Sequence, residues 1–424
     1  MLKIYKGNIV FTSNPEKFNV IENGYIVVED GKVKEVREDL NEGYKDIEIE
    51  DFGDKIIIPG FVDVHVHAPQ FENLGLGFDK ELLPWLETYT FPEESKFKET
   101  SYAKKVYTNF IRSLWEKGST RSIVFATIHK EATEVLMELF KKSGLSAYVG
   151  KVNMDRNSPP FLIETVEDSL KDTEYLIEKY NNKDSLVKLI ITPRFVPTCS
   201  GELMGGLSEL SKKYDLPVQS HLSENFGEIS WVHELHPDNK NYSDVYDSYG
   251  LFGTKPTIMA HCVHNNEDEI ELMKKNNVFV AHCPTSNFNL SSGMAPIRKY
   301  MDMGINVGIG SDVSGGHTMS MRECIVAAIQ TSKMYNVYVD KESKILSTSE
   351  AFYLATKGGG KFFGKVGSFE EGYEFDALIL DDTSLKGVSK RTIDERVQRF
   401  VYSGNSTNIV RRYVAGKEVF KIEL

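Results

Sequence analysis

Hydrophobic and polar positions change texture twice along the chain. Up to about residue 55, short β-branched runs alternate with turn residues. Asn8-Ile-Val-Phe, Gly24-Tyr-Ile-Val-Val-Glu-Asp-Gly and Lys32-Val-Lys-Glu-Val read as strands, with Asp30-Gly31 as a hairpin signal. The far end repeats this texture: Phe375 to Asp382, Arg399-Phe-Val-Tyr and Ile409 to Phe420 also read as strands, the last turning at Gly416. Two β-rich ends around a different middle predict one small β-sandwich domain built from residues 1–57 and 369–424.

Residues 58–368 between them alternate differently. Eight short apolar runs, at 56–67, 119–127, 146–154, 186–195, 216–222, 257–263, 278–284 and 305–312, are separated by charged, helix-like stretches such as Thr100 to Lys117, Thr165 to Asn181 and Asn266 to Lys275. Strand–helix alternation repeated eight times predicts an α/β fold, a (β/α)8 TIM-like barrel, rather than an open sheet. The gaps after the first and fifth runs are long, as loops that build a pocket would be.

Composition narrows the class of function. Fifty Lys plus Arg against 62 Asp plus Glu give a net charge of −12. No long basic cluster relieves it, which argues against a phosphate-backbone partner and hence against nucleic acid. No stretch approaches the roughly 20 apolar residues that span a bilayer, so no membrane is expected. Cys199, Cys262, Cys283 and Cys324 are scattered without a CxxC pair, which predicts a reducing, cytoplasmic setting.

Chemistry in such barrels sits where the strands end, and here the runs end in ligating residues. Run one ends His65-Val-His67, run five His221, run six His261, run seven His282 and run eight Asp312; five of the ten histidines occupy strand ends. Residues i and i+2 of a strand share a face, so His65 and His67 can converge on one ion. With His221 and Asp312 they make a three-imidazole, one-carboxylate set suited to one divalent metal per chain, Zn²⁺ or else Fe²⁺, with a position left for water. Asp312 alone would also read as a helix N-cap. Glu224, three residues past His221, is placed to take and return a proton, or else caps a helix. His261 is either a fifth ligand or a hydrogen-bonding neighbour of the reacting groups, and His282 reads as a packing residue.

His129, His233, His236, His264 and His317 lack strand-end placement and read as surface or loop residues. Cys262 and Cys283 read as small hydrophobes on the opposite face, and Trp85 as either core or pocket wall.

The segment Pro59-Gly-Phe-Val-Asp-Val-His-Val-His67 resembles the opening motif of the amidohydrolase superfamily, and His221, Glu224, His261 and Asp312 resemble its mononuclear aminohydrolase branch. His67-Ala-Pro-Gln70, Trp85-Leu with Tyr89-Thr-Phe-Pro92, Pro193-Arg-Phe195, Ser220-His-Leu-Ser-Glu224 and Ser311-Asp-Val-Ser-Gly-Gly316 are similar to the guanine deaminases of that branch. The resemblance covers essentially the whole chain. It implies metal ligation by His65, His67, His221 and Asp312, proton transfer by Glu224, polarisation of water by His261, and catalytic participation of Asp312. It further implies that Gln70, Arg194 and Phe195, together with His221, Glu224 and Asp312, contact a purine base, guanine. A homodimer is implied by the resemblance alone.

Three other readings compete. Another aminohydrolase of the branch would act on a triazine, a pterin or an adenosine derivative. A binuclear cyclic-amide hydrolase would need a carbamylated lysine at the end of strand four, where Thr192-Pro-Arg194 stands instead. A non-catalytic scaffold protein would have lost ligands that this chain retains.

Overall fold

Eight parallel strands alternate with helices between Phe61 and Ile309 in the computed structural model, which describes residues 2–423 apart from 45, 181, 183 and 184. The strands are Phe61–His67, Ser119–Phe125, Ser146–Gly150, Val187–Leu189, Val218–Leu222, Thr257–His261, Phe279–His282 and Val307–Ile309. They pair in chain order as two four-stranded ladders. Two seams close the barrel. At one, Ile191 bridges Val218, and the Gln219 N–H donates to the Ile191 carbonyl at 2.9 Å. At the other, the Asp312 N–H donates to the His65 carbonyl at 2.8 Å and the His67 N–H to the Val313 carbonyl at 3.0 Å. The second seam therefore sets three of the four expected ligands side by side.

Simple alternation does not aim strand one correctly. Its register against strand two shifts between Asp63 and Val66, where one extra residue is inserted. Before the shift, Val62 and Val64 pack in the barrel interior with Ile123, Ile258 and Ala281; after it, Val66 packs outward with the helix-facing core. The bulge re-aims the strand, as bulges beside functional sites do, and turns His65 and His67 inward.

The helix-like stretches form helices Thr100–Lys117, Val166–Tyr180 and Glu267–Lys275; Asn181, expected to end the second, lies outside the described residues. Asn266 caps the last of these, its side chain accepting from the Glu269 N–H while Glu269 reaches back.

Strands from both chain ends share one seven-stranded sheet, in the order Lys417–Glu418, Ile409–Val414, Ala377–Leu380, Ile49–Pro59, Leu2–Phe11, Asn19–Glu29, Lys32–Arg37. The edge strand also bonds the segment before Ala377: the Val33 N–H donates to the Tyr373 carbonyl and the Gly372 N–H to the Val33 carbonyl. The sheet thereby bends back and encloses Tyr5, Ile26, Phe375 and Tyr413 in a core of its own. Strand Ile49–Pro59 passes into barrel strand one through Gly60, where a Cβ would lie 2.2 Å from the Thr120 hydroxyl.

Arg399-Phe-Val-Tyr is not a strand. It belongs to helix Ile393–Ser403, which buries Ile393, Val397, Phe400 and Val401 along one face and opens with a Thr392–Glu395 capping box. Its spacing is that of an amphipathic helix, and the β-branched local run is overridden by that period.

Candidate active site

The barrel mouth opens into a cleft with about 420 Å³ of free space, lined by His67, Gln70, Arg194, Phe195, His221, Glu224, His261 and Asp312, with Leu82, Trp85, Leu86 and Leu290 as apolar walls. His65 does not line the cleft itself but lies against Asp312, which does. The Nε2 atoms of His67 and His221 stand 3.1 Å apart, and Asp312 Oδ1 lies 3.1 Å from His65 Nε2 and 3.4 Å from His67 Nε2. The donor atoms of His65, His67 and His221 all fall within 4.8 Å of one another.

The protonation pattern suits a cation. His221 Nδ1 lies 2.6 Å from the Arg194 carbonyl, which can only accept, so the proton sits on Nδ1 and the Nε2 lone pair faces His67. Burial pushes the imidazolium forms of His65, His67 and His221 below their ordinary range, so the rings stay neutral. For Asp312 burial acts the other way, but the neighbouring His65, His261 and His67 rings prevail and hold its carboxyl far below the usual range. His65 Nε2 is buried against Asp312 Oδ1, and His67 Nδ1 is buried with no hydrogen-bond partner among the described residues. Buried nitrogens facing one another and a carboxylate are costly unless something positive sits among them. The donor set fits a divalent metal.

Glu224 sits beside this cluster, buried, with Oε2 at 3.3 Å from His261 Nε2 and Oε1 accepting from the Ser292 hydroxyl at 2.9 Å. Burial pushes its carboxyl up to about 7, against the lowering pull of His261. His261 moves oppositely. Burial disfavours its charged form, but Glu224 and Asp312 outweigh that and raise it above the ordinary histidine value. Its Nδ1 donates to Asn287 Oδ1 at 2.9 Å, directing Nε2 toward Glu224 and, at 3.7 Å, toward Asp312 Oδ2. At His261 and Asp312 the chain adopts left-handed φ of 71° and 47°, strained geometry of the kind found at functional sites.

Three more of the expected site residues line the cleft. Arg194 and Phe195 follow the end of strand four, and Gln70 sits in the 3-10 turn Ala68–Asn73 after strand one. Behind them is Glu94, which sequence reasoning missed. It accepts from Arg194 Nη1 at 2.6 Å and Nη2 at 3.1 Å, and from Gln70 Nε2 at 3.0 Å. Ser292 and Asn287 were missed as well; both lie on the stretch after strand seven, where no strand-end pattern marks them. Glu228, also on the cleft wall, accepts from the Glu224 N–H and from the Tyr242 hydroxyl.

Cys283 does not point away from the site: its Sγ lies within 4.8 Å of donor atoms of His65, His261 and Asp312. Strand seven ends at His282, and the following residue turns inward. His282 is fully buried with neither ring nitrogen bonded among the described residues, and burial lowers it to about 3. Trp85 is both core and wall, packed with Leu82, Leu86 and Phe91 while lining the cleft. His264 lies in the loop after strand six, as expected, half-buried; it stacks on Phe226 and bonds the Ser292 carbonyl.

Known proteins resemble this chain along nearly its whole length. The sequence profile described as Amidohydrolase family matches residues 56–419. Guanine deaminase of Dictyostelium discoideum is 38% identical over 99% of this chain and 98% of its own length, and that of Escherichia coli (strain K12) 34% identical over 99% and 98%. A solved guanine deaminase from C. acetobutylicum, with guanine bound in its active site, is 56% identical and superposes with a TM-score of 0.97 over 99% of this chain and 100% of that one. From the bent terminal sheet through the barrel and its mouth, the chain belongs to the amidohydrolase family.

Proposed function

We propose that this protein is a guanine deaminase, hydrolysing guanine to xanthine and ammonia. The observation that carries this is one cleft holding both a proton-balanced Glu224 beside a neutral imidazole–carboxylate cluster and, with it, an arginine and an amide able to read a purine edge. The similarity to guanine deaminases along the full chain supports the same reading.

His65, His67, His221 and Asp312 would hold one divalent ion, Zn²⁺ in the first place and Fe²⁺ in the second. Such an ion, when bound, lowers the pKa of water from that of bulk toward about 7, so that hydroxide is available at neutral pH. Glu224 takes the proton of the attacking water and delivers it to ring N3 as oxygen adds at C2. A carboxyl near 7 is suited to both halves of that exchange. The same carboxyl then takes the proton of the new C2 hydroxyl and passes it to the exocyclic nitrogen, so that the C2–N bond breaks, ammonia leaves and the C2 carbonyl of xanthine forms. His261, aimed by Asn287 and with its charged form favoured by Glu224 and Asp312, donates toward the oxygen that develops charge at C2. Arg194 donates to the O6 carbonyl, Gln70 bonds the ring edge, and Phe195 packs on the base. Water is kept from the ring by Leu82, Trp85, Leu86 and Leu290.

We further read the chain as residues 1–57 and 369–424 forming one small domain and 58–368 the catalytic barrel, and the enzyme as a cytoplasmic homodimer. The four cysteines, all unpaired and buried, fit a reducing compartment, and no helix among the described residues is long and apolar enough to cross a membrane.

Loss of guanine absorbance with stoichiometric xanthine and ammonia, using purified protein, tests the assignment. Preference for adenine, a pterin or a triazine overturns it. Chelation should abolish turnover while far-ultraviolet circular dichroism is retained, and zinc should restore it. Two ions per chain would instead favour the binuclear alternative.

A further inference from the structure

Behind the recognition wall, Glu94 takes no part in the chemistry above and does not line the cleft, yet it is 1% exposed and engages both recognition side chains. It ends the short helix Phe91–Glu94, in the irregular stretch that follows strand one. Its two oxygens receive the two terminal nitrogens of Arg194 in a bidentate pair, and Oε1 also receives Gln70 Nε2. The Gln70 Oε1 accepts from the Ser314 N–H at 3.2 Å. These bonds fix the Gln70 amide in one sense, because a flipped amide would set oxygen against a carboxylate and nitrogen against an N–H. The Arg194 guanidinium additionally lies over the Phe91 ring, 5.2 Å from its centroid.

We propose that Glu94 is the positioning residue that sets substrate specificity, by aiming the donors of Arg194 and Gln70 and by cancelling the arginine charge so that the wall selects a neutral, carbonyl-bearing base over an anionic one. An unpaired arginine in a dry cleft favours carboxylates, phosphates and deprotonated heterocycles. Paired edge-on with a buried carboxylate, it keeps its remaining N–H groups as directed donors and loses its attraction for anions. The three side chains form a buried network, in which removing one member leaves the others misdirected or uncompensated. The inference rests on the guanine deaminase reading.

The test compares wild type, Glu94→Gln, Arg194→Gln and the double variant, measuring kcat, KM for guanine, bound metal, and inhibition by xanthine at pH below and above its first ionisation. Glu94→Gln should raise KM by roughly 10- to 100-fold, as losing charge-assisted hydrogen bonds does, with a much smaller change in kcat and unchanged metal. Xanthine should inhibit wild type less once it is ionised, and Glu94→Gln more. If Glu94 acts through Arg194, the double variant should match Arg194→Gln in kcat/KM. That last comparison also serves where Glu94→Gln fails to fold, since the double variant carries no unpaired buried charge. A wild-type KM in Glu94→Gln, an unaltered response to ionised xanthine, or a double variant tenfold worse than Arg194→Gln overturns the inference and leaves the activity standing. A wild type inactive on guanine overturns both.

Discussion

Two buried arginine–carboxylate pairs sit at opposite ends of the barrel and do opposite things. Near the start of strand two, Arg121 donates to both oxygens of Asp376, from Nε at 2.6 Å and Nη2 at 3.1 Å, and from Nη1 to the Ser146 hydroxyl at 3.2 Å. Asp376 in turn accepts from the Ala415 N–H. Every guanidinium nitrogen has a protein acceptor, and the pair clasps the barrel to the terminal sheet. Beyond the end of strand four, Arg194 makes an equally close pair with Glu94 through its two terminal nitrogens, and each arginine borders a pocket. The chemistry is the same; the difference is closure. A buried guanidinium with a protein acceptor at every nitrogen is architecture, whereas Arg194, whose Nε has no acceptor among the described residues, keeps a donor for a ligand. The imidazoles at the mouth follow the same rule, with buried ring nitrogens left without hydrogen-bond partners among the described residues.

The largest expected effect falls on the group most dependent on that openness. Glu224→Gln keeps the shape and the Ser292 contact but cannot exchange a proton. General acid–base transfer is typically worth about 10²–10⁴-fold, and one group here serves both water and leaving nitrogen, so kcat should fall to the high end of that range or beyond. Metal content should match wild type. Retention of more than a tenth of wild-type kcat would move the proton-transfer role elsewhere, with Asp312 the next group to test.

The two arginines allow the comparison to be broken directly. Arg121→Ala leaves Asp376 buried without its partner, a loss of about 3–5 kcal/mol for pairs of this kind, so thermal or denaturant midpoints should drop sharply while kcat/KM per folded molecule is nearly unchanged. Arg194→Ala exposes Glu94 to the same penalty and should also lower kcat/KM for guanine by roughly 10²-fold, about 2.7 kcal/mol. If Arg121→Ala damages turnover as much as Arg194→Ala does, closure is not what separates architecture from function.

How much of this was legible in the sequence follows from where each residue sits. His65, His67, His221 and Asp312 end apolar runs, and a strand end in a barrel is a place with a known direction, so sequence position carries spatial meaning. The bulge between Asp63 and Val66 was not legible, because a register shift depends on the neighbouring strand. Glu94 was not legible either. It lies in a succession of short helical turns, Leu82–Trp85, Leu86–Thr90, Phe91–Glu94 and Ser95–Lys98, which have no common period, and its partner is 100 residues away. A glutamate in Phe-Pro-Glu-Glu-Ser reads as solvated until tertiary packing buries it. The helix Ile393–Ser403 was misread although its signal was present, since Thr392 and Glu395 mark a capping box ahead of the apolar stripe.

The smallest expected effect concerns Cys283, whose sulfur approaches His65, His261 and Asp312 closely enough to compete for the role of ligand. Two observations set it with the architecture. Its side chain packs in the barrel interior beside Val62, Val64 and Ala281, and burial holds its thiol well above the ordinary value, so the thiolate that a metal requires is disfavoured. Its Sγ is also placed to donate to the Ala281 carbonyl at 3.4 Å, a contact within its own strand end. The three imidazoles and Asp312 supply a full set of donors without it. Cys283→Ala should therefore keep one metal per chain and a kcat within about threefold of wild type, with a stability loss near 1 kcal/mol for the buried atom removed. Loss of the metal in this variant, or a shift in the spectrum of a cobalt-substituted protein that removes a sulfur band, would place the thiol among the ligands and redraw the line between the closed and open parts of the barrel mouth.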